Sequence, residues 1–146
     1  RERNIYNELG KSACDCLAFG CGAGGRLKGY GFMMNRSLAD WSAGVDAGLK
    51  PVMVMTAPGP NWALLRTVSS DMESGAINLP CISERFGVDV DALTREVTSQ
   101  WEEAGLVTRT GDWLVQTVAG QFWHVTLAQL LVDLIGKALR KEALAA

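Results

Sequence analysis

The sequence predicts an α+β chain in two parts, residues 1–60 and 61–146, and three observations carry that prediction. The short apolar run Cys16-Leu17-Ala18-Phe19 leads into Gly20-Cys21-Gly22-Ala23-Gly24-Gly25-Arg26-Leu27-Lys28-Gly29-Tyr30-Gly31, whose six glycines demand tight turns or close backbone approach. A second apolar run, Pro51-Val52-Met53-Val54-Met55, lies beyond one short helix. From Leu79 onward the pattern becomes helix, helix, hairpin and long helix, the order of a winged helix.

In chain order, Arg1 to Lys11 is a polar lead-in, and Ala13 to Phe19 reads as a buried strand ending at the glycine loop. Asp15 within it is expected to accept backbone hydrogen bonds rather than to catalyse. Ser37 is an N-cap for a helix with Leu38, Trp41 and Val45 at helical spacing, and Gly48 stops it. Pro51 to Met55 is a strand closed by Pro58-Gly59-Pro60. Asn61 then caps a helix showing Trp62, Leu65 and Met72 on one side, with Gly75 as its end. Leu79 to Phe86 is a short helix ended by Gly87. Asp91 opens a longer one in which Leu93, Val97 and Trp101 recur until Gly105. Residues 106–109 and 113–116 flank the turn Thr110-Gly111-Asp112 and form a β-hairpin. The last helix lines up Trp123, Leu127, Leu130, Leu131, Leu134 and Ala138, and Lys137, Arg140 and Lys141 suit the dipole at its C-terminal end.

Composition narrows the function. The chain has 146 residues, 48% of them hydrophobic, which suits a folded globular protein. Its net charge of -2 argues against general nucleic-acid binding. On the would-be recognition helix, Glu96, Glu102 and Glu103 outweigh Arg95, so a DNA role is not expected. The uncharged run from Val118 to Val132 is too short and too polar to cross a bilayer. No targeting segment is visible, and a start without methionine reads as a piece of a longer polypeptide. The four cysteines, Cys14, Cys16, Cys21 and Cys81, fit neither a disulfide framework nor zinc spacing, and reduced thiols in a cytoplasm are expected.

The motifs exclude more than they assign. Gly20, Gly22 and Gly25 match G-x-G-x-x-G, but Lys28-Gly29-Tyr30-Gly31 prevents a helix from opening at Arg26, so the dinucleotide reading fails. No G-x-S-x-G elbow exists, and the single histidine, His124, lies beside Trp123 as a core or surface residue, an axial haem ligand or a proton donor.

The run from Asp15 to Tyr30 resembles the D-x-L-x-x-G-x-G-A-x-S segment of the oxygen-independent coproporphyrinogen oxidase family of radical SAM proteins. Gly48-Leu49-Lys50-Pro51 is similar to that family's Gly-x-x-Pro turn. Gln116-Thr117-Val118-Ala119-Gly120 resembles the L-T-x-x-G start of its last helix. The Ala-Gly-Gly form and Tyr30-Gly31-Phe32 look most like the branch that opens haem anaerobically by methyl transfer. The resemblance implies the C-terminal part of such an enzyme: the end of an incomplete β/α barrel followed by a winged-helix-like cap. It implies an S-adenosylmethionine contact at Gly24, with Ala23 and Gly25 beside it, and a haem or porphyrin substrate.

A tetrapyrrole wall of Tyr30, Phe32, Met33 and Met34 follows from that implication, with Arg26 or Lys28 pairing with propionates. Gly25 stands where the family has serine. The C-x-x-x-C-x-x-C motif that holds a [4Fe–4S] cluster is absent, so the chain alone is expected to be inert and to depend on the N-terminal barrel of its parent polypeptide. The competing expectation is a non-catalytic winged-helix domain that binds a protein or self-associates through the apolar stripe of its last helix.

Overall fold

The computed structural model describes residues 14–145, without the side chains of Glu142 and Ala145. The polar lead-in and Ala13 lie outside the described residues. The chain divides into two compact units, which meet in sequence between Trp62 and Ala63.

The first unit is built on an antiparallel sheet of β1 (Gly24–Leu27), β2 (Tyr30–Met34) and β3 (Val52–Thr56), in that order. The glycine stretch is therefore itself a hairpin. Leu27 pairs with Tyr30. Lys28 (φ 49) and Gly29 (φ 84) supply the two positive φ angles of a type I′ turn. Lysine seldom takes that position, which is why the sequence suggested an open loop. None of these strands runs parallel to its neighbour, unlike the strands of a β/α barrel.

The expected strand from Ala13 to Phe19 is replaced, over its described residues, by one antiparallel bridge from Cys16 to Arg26. Both of its N–H···O bonds are 2.8 Å. The physical reason is the lack of a core to receive the run: Phe19 is 86% exposed, and every fully buried apolar side chain among the described residues lies beyond Trp62. Between β2 and β3 runs α1 (Leu38–Asp46), capped as expected by Ser37 Oγ, which accepts from Asp40 N. Gly48 follows at φ 71. Asn61 has φ 58 rather than the extended backbone of an N-cap, so its expected capping role is not seen.

The second unit has its own core. In α2 (Trp62–Glu73) the buried stripe is Leu64, Val68 and Met72, so Met72 is buried as expected while Trp62 and Leu65 are only partly buried. Next come β4 (Ala76–Asn78) and α3 (Leu79–Phe86), which Asn78 caps and Gly87 ends at φ 65. In α4 (Val90–Glu103) the cap is Asp89, whose Oδ1 accepts from Ala92 N at 3.0 Å, so the helix opens before Asp91. Its buried face is Val90, Thr94, Thr98 and Trp101. Both threonines were overlooked because the pattern counts hydroxyls as polar. Their Oγ1 atoms donate to the helix's own carbonyls, Val90 at 2.8 Å and Arg95 at 3.1 Å.

The hairpin forms as expected from β5 (Val107–Thr110) and β6 (Trp113–Gln116), and β6 lies between β4 and β5. The last helix is divided into α5 (Val118–Phe122) and α6 (His124–Ala145). Leu127, Ala128, Leu131 and Ile135 are buried, whereas Trp123 and Leu130 of the expected stripe are about half exposed. No basic residue lies in the final turn, because α6 continues to Ala145.

The segment from Gln116 to Gly120 holds this unit together. Gln116 Nε2 donates to Met72 O at 2.7 Å in the core. Thr117 Oγ1 donates to Gly105 O at 2.7 Å and accepts from Gly120 N at 3.1 Å. A Cβ on Gly120 would run into the carbonyl oxygen of Leu106. Gly120→Ala should therefore destabilise the chain by about 1–3 kcal/mol through overpacking, read as a lower Tm, whereas Ala119→Ser on the exposed side should leave Tm unchanged.

Candidate functional site

The residues singled out in the sequence gather on the first two strands, with different local roles. Ala23 is occupied by the backbone: its N–H donates to Gly20 O at 3.3 Å and its carbonyl accepts from Met34 N at 2.9 Å. At Gly25 there is no spare room. An added Cβ would collide with the Phe32 ring and come within 2.6 Å of Cys16 O. Gly24 differs from both. The nearest atom to its hypothetical Cβ is Phe32 O at 3.8 Å, and Gly24 is exposed. Strand alternation turns its N–H and C=O toward the edge of β1 on which Arg26 bonds to Cys16. Of the three, Gly24 alone is exposed and has open space around it.

Register sorts the remaining candidates onto two faces. Gly25 pairs with Phe32 and Leu27 with Tyr30, and Phe32 pairs with Met55, so these residues share one face. Gly24 pairs with Met33 and Arg26 with Gly31, and Met33 pairs with Val54 on the other. The expected wall of Tyr30, Phe32, Met33 and Met34 is thus split: Tyr30 and Phe32 face away from Met33, and a register irregularity separates Met33 from Met34.

The Arg26 guanidinium lies 6.0 Å from the Trp62 ring centroid, a cation–π contact. Lys28 sits in the turn, and its backbone N–H donates to Asp15 Oδ1 at 2.7 Å, the role expected of that carboxylate. Sequence reasoning passed over Arg36. Its Nε donates to Met33 Sδ at 3.2 Å. A cation three residues after an apolar strand position and just before an N-cap was the available signal.

The other candidates do not assemble. None of the four cysteines is in a disulfide, and Cys21 Sγ donates to Asn35 O at 3.3 Å. No group of three or more His, Cys, Asp or Glu side chains among the described residues is placed to hold a metal, so the donors present do not fit an iron–sulfur cluster. His124 Nδ1 lies 2.8 Å from Gln121 O. Burial pushes the Asp71 carboxyl above its usual range, against the opposing charge of Arg85, but both belong to the second unit's scaffold. Among the described residues, no helix is long and apolar enough to cross a membrane.

No family model matches the chain. Its fold is similar to coproporphyrinogen III oxidase from Escherichia coli, a radical SAM enzyme, with a TM-score of 0.62 over 82% of this chain and 28% of that one, at 16% identity. Fold and motif thus define one class: the chain is similar, over most of its length, to part of a coproporphyrinogen-oxidase-like radical SAM protein. Within that class its sequence is similar to the anaerobilin synthase of Escherichia coli O157:H7, at 37% identity over 136 residues, or 92% of this chain. The chain spans 29% of that relative's length.

The geometry explains why position 25 holds glycine. Gly25→Ser should lower stability by about 1–3 kcal/mol through the clash with Phe32 and Cys16 O. Adding Phe32→Ala should recover part of that loss in a double-mutant cycle of thermal unfolding. Strict additivity would show that the two positions do not meet.

Proposed function

We propose that this chain is the C-terminal part of a radical SAM protein that processes haem or a related porphyrin, and that its first unit forms one wall of the cofactor and substrate cleft. The observation that carries the reading is the 37% identity to an anaerobilin synthase over 92% of the chain. Methyl-transferring ring opening of haem is the reaction favoured by that similarity, over decarboxylation of coproporphyrinogen. The exposed apolar side chains of the first unit, including Phe19 and Met55, call for cover from the rest of a longer polypeptide.

In this reading Gly24 contributes an open strand edge to S-adenosylmethionine, and Ala23 and Gly25 keep that edge in place through their packing. S-adenosylmethionine, when bound, supplies the methyl group. No residue here supplies an electron to it, so the chain alone is inert and depends on the cluster-bearing barrel of its parent. The helix–helix–hairpin order of the second unit serves as a winged-helix-like cap. That role needs no nucleic acid: Arg109 on the hairpin is neutralised by Glu102 at 3.3 Å and Asp91 at 3.9 Å. Cysteines outside any disulfide suit a reducing cytoplasm. The alternative, self-association through the stripe of the last helix, is weakened because Leu127, Leu131 and Ile135 already fill the unit's own core.

Haemin added to the full chain should bind saturably, with a shifted Soret band and quenched tryptophan emission. Trp62→Phe should remove the largest share of that quenching, because Trp62 lies against Arg26. Binding no better than that of an unrelated acidic protein would move the substrate wall out of this chain.

A further inference from the structure

The stripe that α6 buries is not the only apolar face where α5 meets α6. Val118 and Phe122 lie one turn apart on α5 and are 86% and 79% exposed. Trp123 follows, with its ring edge-on to Phe122 and 5.2 Å between the centroids. Its carbonyl accepts from Leu127 N, so α6 starts from Trp123, and Val125 and Leu130 extend the exposed apolar surface beyond it.

The size of this face narrows what can cover it. An aromatic side chain carries about 150–250 Å², so at their observed exposures these five residues offer on the order of 500 Å² of apolar surface, near the upper end for a patch left open on a monomer. A standard interface takes about 800 Å² from each partner, and its buried centre is about 65% apolar. The patch matches the apolar part of one such contact.

Charge narrows it further. Residues 117–132 contain no Asp, Glu, Lys or Arg. The next residue, Asp133, has its Oδ1 on Gln129 Nε2 at 2.9 Å. A two-fold contact sets a patch against its own copy, where a charge would meet its like, and an uncharged face is free of that repulsion. A bilayer surface instead favours Lys and Arg around the apolar side chains.

We infer that this face joins two copies of the chain about a two-fold axis, with Phe122 and Trp123 at the centre of the contact. The edge-to-face pair sets the two rings against each other before association, so less side-chain freedom is lost when they are covered. The contact differs from association through Leu127, Leu131 and Ile135, which the unit's own core already uses. It does not rest on the tetrapyrrole reading.

The test is the mass of the full chain in solution, measured by sedimentation equilibrium over a range of concentrations. It should rise from one chain to two and stop there. Phe122→Ser should weaken association at least about tenfold, the scale of losing a central aromatic. Val125→Lys should act in the same direction by bringing like charges into the contact, so the interface is testable even if one variant does not fold. Phe19→Ser, in the first unit, should leave association unchanged.

A chain that stays monomeric throughout would overturn the inference and leave the face to another part of a longer polypeptide. Association lost in Phe19→Ser but kept in Phe122→Ser and Val125→Lys would overturn it too. So would a mass that keeps rising past two chains.

Discussion

The close approach of Cys16 to Gly25 is the constraint on which the first unit depends. Two 2.8 Å backbone bonds join Cys16 to Arg26, and the Cys16 carbonyl then lies where the first side-chain atom of any residue but glycine at position 25 would be. The Phe32 ring fills the remaining space. Asp15, next in the chain, secures the turn through Lys28 N. Backbone and one aromatic ring thus do in this unit what a buried core does elsewhere, and the faces of the sheet stay partly exposed. A surface of this kind can serve as a wall for a large flat ligand.

The second unit follows a different principle. Its helices bury a continuous apolar core, and the segment from Gln116 to Gly120 connects that core to the hairpin by one buried amide, one threonine hydroxyl and one glycine against a carbonyl. Each residue in that segment with a resolved contact has a structural task. The motif match at this point therefore speaks for the fold. The two ion pairs of Arg109 fix the hairpin to α4 and reduce the charge that a nucleic-acid surface would need.

Elements set by local chemistry were readable in the sequence. Ser37 and Gly48 bound α1, Gly87 ends α3, and the glycine-containing turn between β5 and β6 lies where the pattern put it. Features that depend on long-range partners were not readable. The apolar run before the glycines has no core to enter, and Thr94 and Thr98 hide their hydroxyls in their own helix. Leu127 and Leu131 of the expected stripe of α6 meet the core, but Ile135 joins them there in place of Trp123 and Leu130. Among the candidate residues, a run of consecutive aromatic and sulfur residues was read as one wall although strand alternation divides it. The contact of Arg36 with Met33 was not foreseen, because it follows from the return of the chain after β2, which composition does not record.

The most direct measurement is a residue-by-residue map of backbone amide shifts in the isotopically labelled chain as a metal-free, diamagnetic porphyrin diacid is added. The account predicts that the largest changes fall on residues 22–36 and 52–56, on the face shared by Arg26, Met33 and Val54, with the core of the second unit unaffected. Shifts concentrated around Phe122, Trp123 and Val125, or on the opposite face at Tyr30 and Met55, would contradict it.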